Sequence, residues 1–185
     1  MGFVGRNKAI KIKGVKKGNF RYALQIDSGI NKKSIIVIMK NPSTTFNNVN
    51  QQHITKYCDR KNCHIDRTTG NVYRFLKNSY KKIIVLNLFS AYSTQASALN
   101  RIYNLKYNFA TEDSEIQKAL RTFPNAPIIC AWGQPSGIDK TLYNQRISDV
   151  LNVLSGKKLL EYKNGRLITF IFNSNSYPLH GLKWK

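Results

Sequence analysis

Three short apolar runs constrain this chain more than any other feature: Ile35 to Met39, the centre of Lys81-Lys-Ile-Ile-Val-Leu-Asn-Leu-Phe89, and the centre of Pro127-Ile-Ile-Cys-Ala-Trp-Gly133. None alternates with polar residues and none is long enough for a buried helix, so each reads as a strand covered on both faces. Each also stops at polar punctuation: Lys40-Asn41-Pro42-Ser43, Ser90 to Gln95, and Gly133-Gln-Pro-Ser-Gly137. Proline cannot continue a ladder, and Asn, Ser and Gly favour turns. Helical patterns lie between the runs. Val72 to Leu76 is short, Ile116 to Phe123 follows the cap-rich Thr111-Glu-Asp-Ser-Glu115, and Ile138 to Leu154 is closed by Gly156. Strands alternating with helices predict an α/β fold, three-layer α/β/α with a mainly parallel central sheet, in one domain over residues 1–185. Such sheets bind ligands outside the carboxyl ends of their strands. Asn41-Pro42-Ser43, Asn87-Leu88-Phe89 and Trp132-Gly133 are therefore expected to converge on one cleft.

The remaining segments carry weaker signals. Residues 1–19 are basic and suit either a flexible arm or an edge hairpin; alternation in Ala9-Ile-Lys-Ile-Lys13 favours the edge strand. Phe20 to Ile26 alternates as well, and Asp27-Ser-Gly29 turns the chain into the first apolar run. Ile54-Thr-Lys-Tyr-Cys58 has helical spacing. Lys158 to Tyr162 and Arg166 to Phe172 flank Lys163-Asn-Gly165, as a hairpin or as two separate strands.

Charge is the second constraint. Thirty Lys and Arg face nine Asp and Glu, a formal +21. A field of that size draws polyanions, nucleic acid first. A Lys/Asn-rich genome would explain Lys over Arg but not the scarcity of acids. Those few acids supply a two-metal carboxylate nuclease poorly. His53, Cys58, Cys63 and His64 form H-x4-C-x4-C-H, which matches no common zinc framework. Three cysteines fall short of an iron–sulfur cluster, and no Gly-rich phosphate loop is present. No cofactor and no metal are expected. With no signal-like start and no run of ~20 apolar residues, a cytoplasmic protein with reduced thiols and no membrane contact is expected.

Each motif residue has a plain reading too: Asn41 and Asn87 as turn formers, Trp132 as core. Their order at strand ends in so basic a chain favours function. The ordered set Ile-Met-Lys-Asn41-Pro-Ser-Thr, Val-Leu-Asn87-Leu-Phe, Cys-Ala-Trp132-Gly133 and Tyr177-Pro-Leu resembles a bacterial and phage family catalogued as a domain of unknown function, over roughly residues 20–182. That family in turn resembles the uracil-DNA glycosylase superfamily. The resemblance implies a water-positioning Asn41-Pro42, a base-reading Asn87, and a DNA-intercalating loop at Tyr177-Pro178-Leu179. As catalytic residues it implies Asn41, Tyr177 and His180. Around the base it implies Pro42, Ser43, His53, Asn87 and Phe89. Lys40, Lys81, Lys82, Leu179 and Lys183 are the expected DNA contacts.

The departures from that pattern shape the expected function. An Asn amide can read the uracil or thymine edge, but Asn41 can only orient water where a carboxylate would also support a cationic sugar. Ser43 stands where uracil-specific enzymes place a Tyr that excludes the thymine methyl. Tyr177 stands where they place a His, and His180 is the nearest substitute. The expectation is a glycosylase-like DNA-binding pseudo-enzyme with lost or very weak base excision, engaging DNA of either strandedness or a DNA-mimicking protein inhibitor. Two alternatives stand beside it: an active glycosylase on uracil or a C5-modified pyrimidine, and another nucleotide- or nucleic-acid-processing activity in the same cleft.

Overall fold

The computed structural model describes residues 10–27, 32–42, 53–58, 65–171 and 177–184. One eight-stranded sheet organises them. In chain order the elements are β1 (Ile10–Lys17), β2 (Phe20–Asp27), β3 (Ser34–Met39), β4 (His53–Cys58), α1 (Arg67–Leu76), β5 (Lys82–Asn87), α2 (Ala110–Thr122), β6 (Ile128–Ala131), α3 (Lys140–Val153), β7 (Leu159–Lys163) and β8 (Arg166–Thr169). Short 3₁₀ helices occupy Ala96–Arg101 and Gly181–Lys183. The spatial strand order is β4-β1-β2-β5-β3-β6-β7-β8.

The apolar runs form the centre. β3 pairs in parallel with β5 and β6, and β6 with β7. Alternate residues of β3 enter two different cores. Ile36 and Ile38 meet Ile116 of α2 and Leu142, Tyr143 and Ile147 of α3. Ile35, Val37 and Met39 meet Val72, Tyr73 and Leu76 of α1. That double burial is why the runs lack polar alternation; each fully buried Ile or Val contributes roughly 1.5–3 kcal/mol.

The expected mainly parallel sheet is not found. Four neighbouring pairs are antiparallel (β1–β2, β1–β4, β2–β5 and β7–β8) against three parallel ones. The physical reason is connection length. A parallel neighbour needs a crossover of a dozen residues or more, whereas β1–β2 and β7–β8 are joined by two-residue turns that permit only hairpins. Asn164 and Gly165 both have positive φ, 50° and 78°, the geometry of a hairpin turn, which settles the Lys163-Asn-Gly165 ambiguity in favour of a hairpin. Two further expectations are corrected. Ile54 to Cys58 lies in strand β4, not in a helix, and β4 takes the sheet edge, so β1 is an interior strand. Apolar residues at i, i+3 and i+4 suit a short strand as well as a helix turn when tertiary pairing decides.

Among the described residues no helix is long and apolar enough to cross a membrane.

Candidate site at the carboxyl ends of the central strands

The antiparallel wing brings three more strand ends to the edge where β3, β5 and β6 finish. β1 ends there, β2 begins there and, in register with Val15, so does β4 at His53. One edge of the sheet therefore carries Lys16, Arg21, Asn87, Lys40 and the Trp132-Gly133 turn.

The loop after β3 is held by the loop after β5. Phe89 N–H donates to the Lys40 carbonyl (2.9 Å) and Ser93 N–H to the Pro42 carbonyl (3.2 Å). The Asn41 Nδ2 amide donates to the carbonyls of Ser93 (2.8 Å) and Pro42 (2.9 Å), so its amide hydrogens are committed to the turn. The Lys40 ammonium donates to the Gln134 carbonyl and lies 5.5 Å from the Tyr143 ring centroid. Lys40 is buried, and burial lowers its pKa.

A second fixed element is the segment 177–184. Tyr177 donates its hydroxyl to Asn144 of α3 (2.8 Å). Asn71 of α1 donates to the Leu182 carbonyl (2.9 Å), and Trp184 stacks on Tyr162 at 5.1 Å. The segment thus crosses from the α3 side to the α1 side over the end of β6. Gly133 permits that crossing: it has φ 70°, and a Cβ there would stand 2.8 Å from the His180 Cβ.

His180 rides on this segment with its polar edge defined. Its Nδ1 accepts from Leu182 N–H at 3.2 Å, so the neutral ring carries its proton on Nε2. Burial, and then the Lys40 charge, push its pKa down to about 4 against the opposing pull of Asp66. At neutral pH His180 is an uncharged donor.

On the α1 side of the same edge lies a cluster that the motif reading missed. Lys16 and Arg21 are cross-strand partners, 3% and 0% exposed. A register shift at Val15/Lys16 lets Tyr22 bulge and aims both cations the same way, toward the Tyr92 ring at 5.2 and 5.9 Å. Burial lowers the pKa of both, while Asp66 and then Tyr92 act in the opposite sense on Arg21. Asp66 caps α1, accepting from Thr69 N–H (2.9 Å) and the Thr69 hydroxyl (2.8 Å). Asn87, 3% exposed, donates through a long 3.4 Å contact to the Arg21 carbonyl, and its Oδ1 has no hydrogen-bond partner. The signal for this cluster was the hairpin: a two-residue loop at Gly18-Asn19 fixes Lys16 opposite Arg21.

The expected site residues divide accordingly. Lys40, Asn41, Pro42, Asn87, His180, Leu179 and Lys183 belong to this edge or to the segment crossing it. Tyr177 is beside them but its hydroxyl is engaged by α3. Phe89 is fully buried among Tyr103, Phe109 and Tyr143 and offers no face to a base. Trp132, also fully buried, packs edge-on against Phe170 in the core. Lys81 and Lys82 stand at the amino end of β5, one strand length (~16 Å) away from Asn87, at the opposite edge of the sheet. Ser43, Cys63 and His64 lie outside the described residues, as do the side chains of His53 and Cys58. Among the described residues no three His, Cys, Asp or Glu gather as a metal site. Two concavities lie elsewhere: a depression along α3 at Lys140, Asn144 and Ser148, and a groove of about 260 Å³ between α2 and the β1–β2–β5 face.

No curated protein and no solved structure matches the chain. One family model does, described as a protein of unknown function (DUF1643), over residues 21–182. The matched span opens at Arg21, takes in every central strand, and closes on Leu182 beside His180. The chain belongs to the DUF1643 family.

Proposed function

We propose that this protein binds DNA and receives a single base at the carboxyl ends of β3, β5 and β6, without excising it efficiently. The observation that carries the reading is the Asn87 Oδ1: a buried acceptor with no partner, at a strand end, in a chain of charge +21. A buried amide oxygen left unpaired costs about 1–3 kcal/mol, which a pyrimidine N–H would recover. The neutral Nε2–H of His180 is a donor suited to a base carbonyl, and Leu179, exposed beside it, supports the reading as an apolar residue free to wedge between bases. The same features argue for weak chemistry. Asn41 spends its amide hydrogens on backbone carbonyls, and Asp66 spends both carboxylate oxygens on Thr69. Neither is left as a strong base for a water.

The test is fluorescence anisotropy with single- and double-stranded oligonucleotides across a salt series, with base release measured in parallel on uracil, G·T and 5-hydroxymethyluracil substrates. Six to eight phosphate contacts would weaken binding by roughly 10³-fold between 50 and 200 mM salt. Absent or salt-insensitive binding would remove the reading. Rapid base release that vanishes in Asn41→Ala would replace the pseudo-enzyme by an active glycosylase.

A further inference from the structure

The described residues expose five large apolar side chains, Ile102, Leu105, Ile171, Leu179 and Leu182, and four of them belong to the edge where the parallel strands end. Leu179 and Leu182 ride on the segment that crosses the end of β6. Ile102 and Leu105, 39% and 65% exposed, lie in the connection from β5 to α2. That connection leaves β5 at its carboxyl end, and α2 returns toward the amino end, where its terminal Phe123 meets Lys82 at 5.6 Å. Ile171 alone stands at the far edge, since Phe170 beside it donates its N–H to Leu159 at the start of β7. Single exposed apolar residues are ordinary on a protein surface, but the turn 101–106 is built to hold its pair out. Tyr103 between them is buried, accepts from the Ala91 N–H (2.8 Å) and stacks on Phe109 at 5.4 Å. The tip closes on itself: Lys106 N–H donates to Asn104 Oδ1 (2.9 Å) and Tyr107 N–H to the Asn104 carbonyl (3.0 Å). The root is tied to the start of α3, where Asn100 donates to the Gly137 carbonyl and accepts from Asp139 N–H, both at 3.0 Å. Gly137, with φ 81°, permits that contact; a Cβ there would stand 3.1 Å from the Ser97 nitrogen. Arg101 and Lys106, both exposed, flank the apolar pair.

We propose that the turn 101–106 is an apolar wedge for double-stranded DNA, with Leu105 and Ile102 entering between base pairs from the minor groove and Arg101 and Lys106 on the flanking phosphates. This rests on the base-receiving reading above and narrows its ligand to a duplex. Apolar side chains inserted between base steps unstack and kink a duplex, and cations beside them hold the backbone in register. Taking one base out of a duplex requires the stack to open, and a fixed apolar tip at the same edge, in addition to Leu179, supplies the opening. Charge selects the partner: a tip flanked by cations, in a chain of charge +21, meets a polyanion. An anionic membrane surface shares that charge, but binding there scales with the apolar area buried, and two side chains on a turn offer little of it.

The experiment follows the whole chain binding a short duplex and its single strand by anisotropy, with a 2-aminopurine at the duplex centre that brightens when its neighbours unstack. The unaltered protein is expected to brighten it. Leu105→Ser, at a position 65% exposed, should leave the melting temperature unchanged, dim the probe and cost roughly tenfold in duplex affinity, with the single strand affected by less than about threefold. Leu105→Met keeps an apolar tip and should keep both signals. Ile171→Ser, exposed at the far edge, should change neither. Duplex affinity and brightening that survive Leu105→Ser combined with Ile102→Ser overturn the wedge and leave the base-receiving reading intact, as does binding without any brightening by the unaltered protein. Equal losses on duplex and single strand overturn it too, because a wedge acts only on a stack. If Leu105→Ser spares DNA but releases the protein from phosphatidylglycerol vesicles, the turn faces a membrane and the wedge is again overturned. Absence of binding to any oligonucleotide removes both readings.

Discussion

Two fully buried arginines lie on opposite faces of the sheet, and their surroundings differ. Arg146 of α3 donates Nε to the Leu88 carbonyl (2.8 Å) and Nη1 to Asp113 (2.7 Å), with Phe109 under its guanidinium at 4.2 Å. Around it Ser90 donates to Glu112 (2.6 Å), and Tyr103 accepts from the Ala91 N–H (2.8 Å). Burial and then Glu112 push the Tyr107 hydroxyl up to about 12, so it stays a neutral donor to that carboxylate. Here one cation faces two carboxylates, and the network ties the β5 loop to α2 and α3. Arg21 is as buried as Arg146 but stands opposite a second cation, Lys16, at the edge where the parallel strands end.

The largest effect should come from breaking the Arg146 side. Arg146→Met strands Asp113 and Glu112 beside an apolar wall and is expected to cost about 3–5 kcal/mol in urea unfolding. Arg21→Met should cost less than half of that, because Lys16 loses a like-charged neighbour while Asp66 keeps its Thr69 bonds. Equal losses would collapse the contrast between the two arginines.

A middle-sized effect is expected from acid. The folded pKa of His180 is depressed to about 4, below its ordinary value near 6.5. Between those values the unfolded chain takes up a proton that the folded one refuses. Stability from this group is therefore full above about pH 6.5 and is lost as pH falls toward 4, by something on the order of 1–3 kcal/mol. Comparing urea midpoints at pH 7 and pH 5 for the protein and for His180→Asn, which keeps a cap for Leu182 N–H, isolates it. A slope unchanged by the substitution would place the acid sensitivity elsewhere.

The smallest effect belongs to Lys82→Ala. Its ammonium lies 5.6 Å from the Phe123 ring at the far end of β5, so ligand affinity at moderate salt should change by less than about threefold. A loss of roughly tenfold or more would extend the binding surface over the opposite edge of the sheet.

Much of the centre of this fold could be read from residue order. Ile35 to Met39 and its two counterparts became the parallel strands, because nothing but burial on both faces explains five consecutive apolar residues. Helix α3 fell close to its expected span, but α1 begins at Arg67 under an Asp66 cap rather than at Val72, and α2 begins at Ala110, so Thr111 to Glu115 lies inside the helix rather than capping it. The wing was harder. Lys11-Ile-Lys and Phe20 to Ile26 alternate as any half-exposed strand does, and alternation says nothing about which neighbour it joins. Ile54 to Cys58 was misread because its strand character comes from pairing with β1.

The site divides along the same line. Asn41, Asn87 and Gly133 announced themselves as polar punctuation at the ends of buried runs, a property local to the sequence. Phe89 and Trp132 looked equally marked, yet tertiary packing sent both into the core, since an aromatic at a strand end can face either way. The Lys16–Arg21 pair depended on the fold still more. By itself the sequence determined that these lysines and arginines were too many for their acids. Only the sheet decided that the hairpin would lie against β5, bringing two cations under cover beside Asn87. Register across non-neighbouring strands is set by the summed packing of both faces, and no short stretch of residues carries that sum.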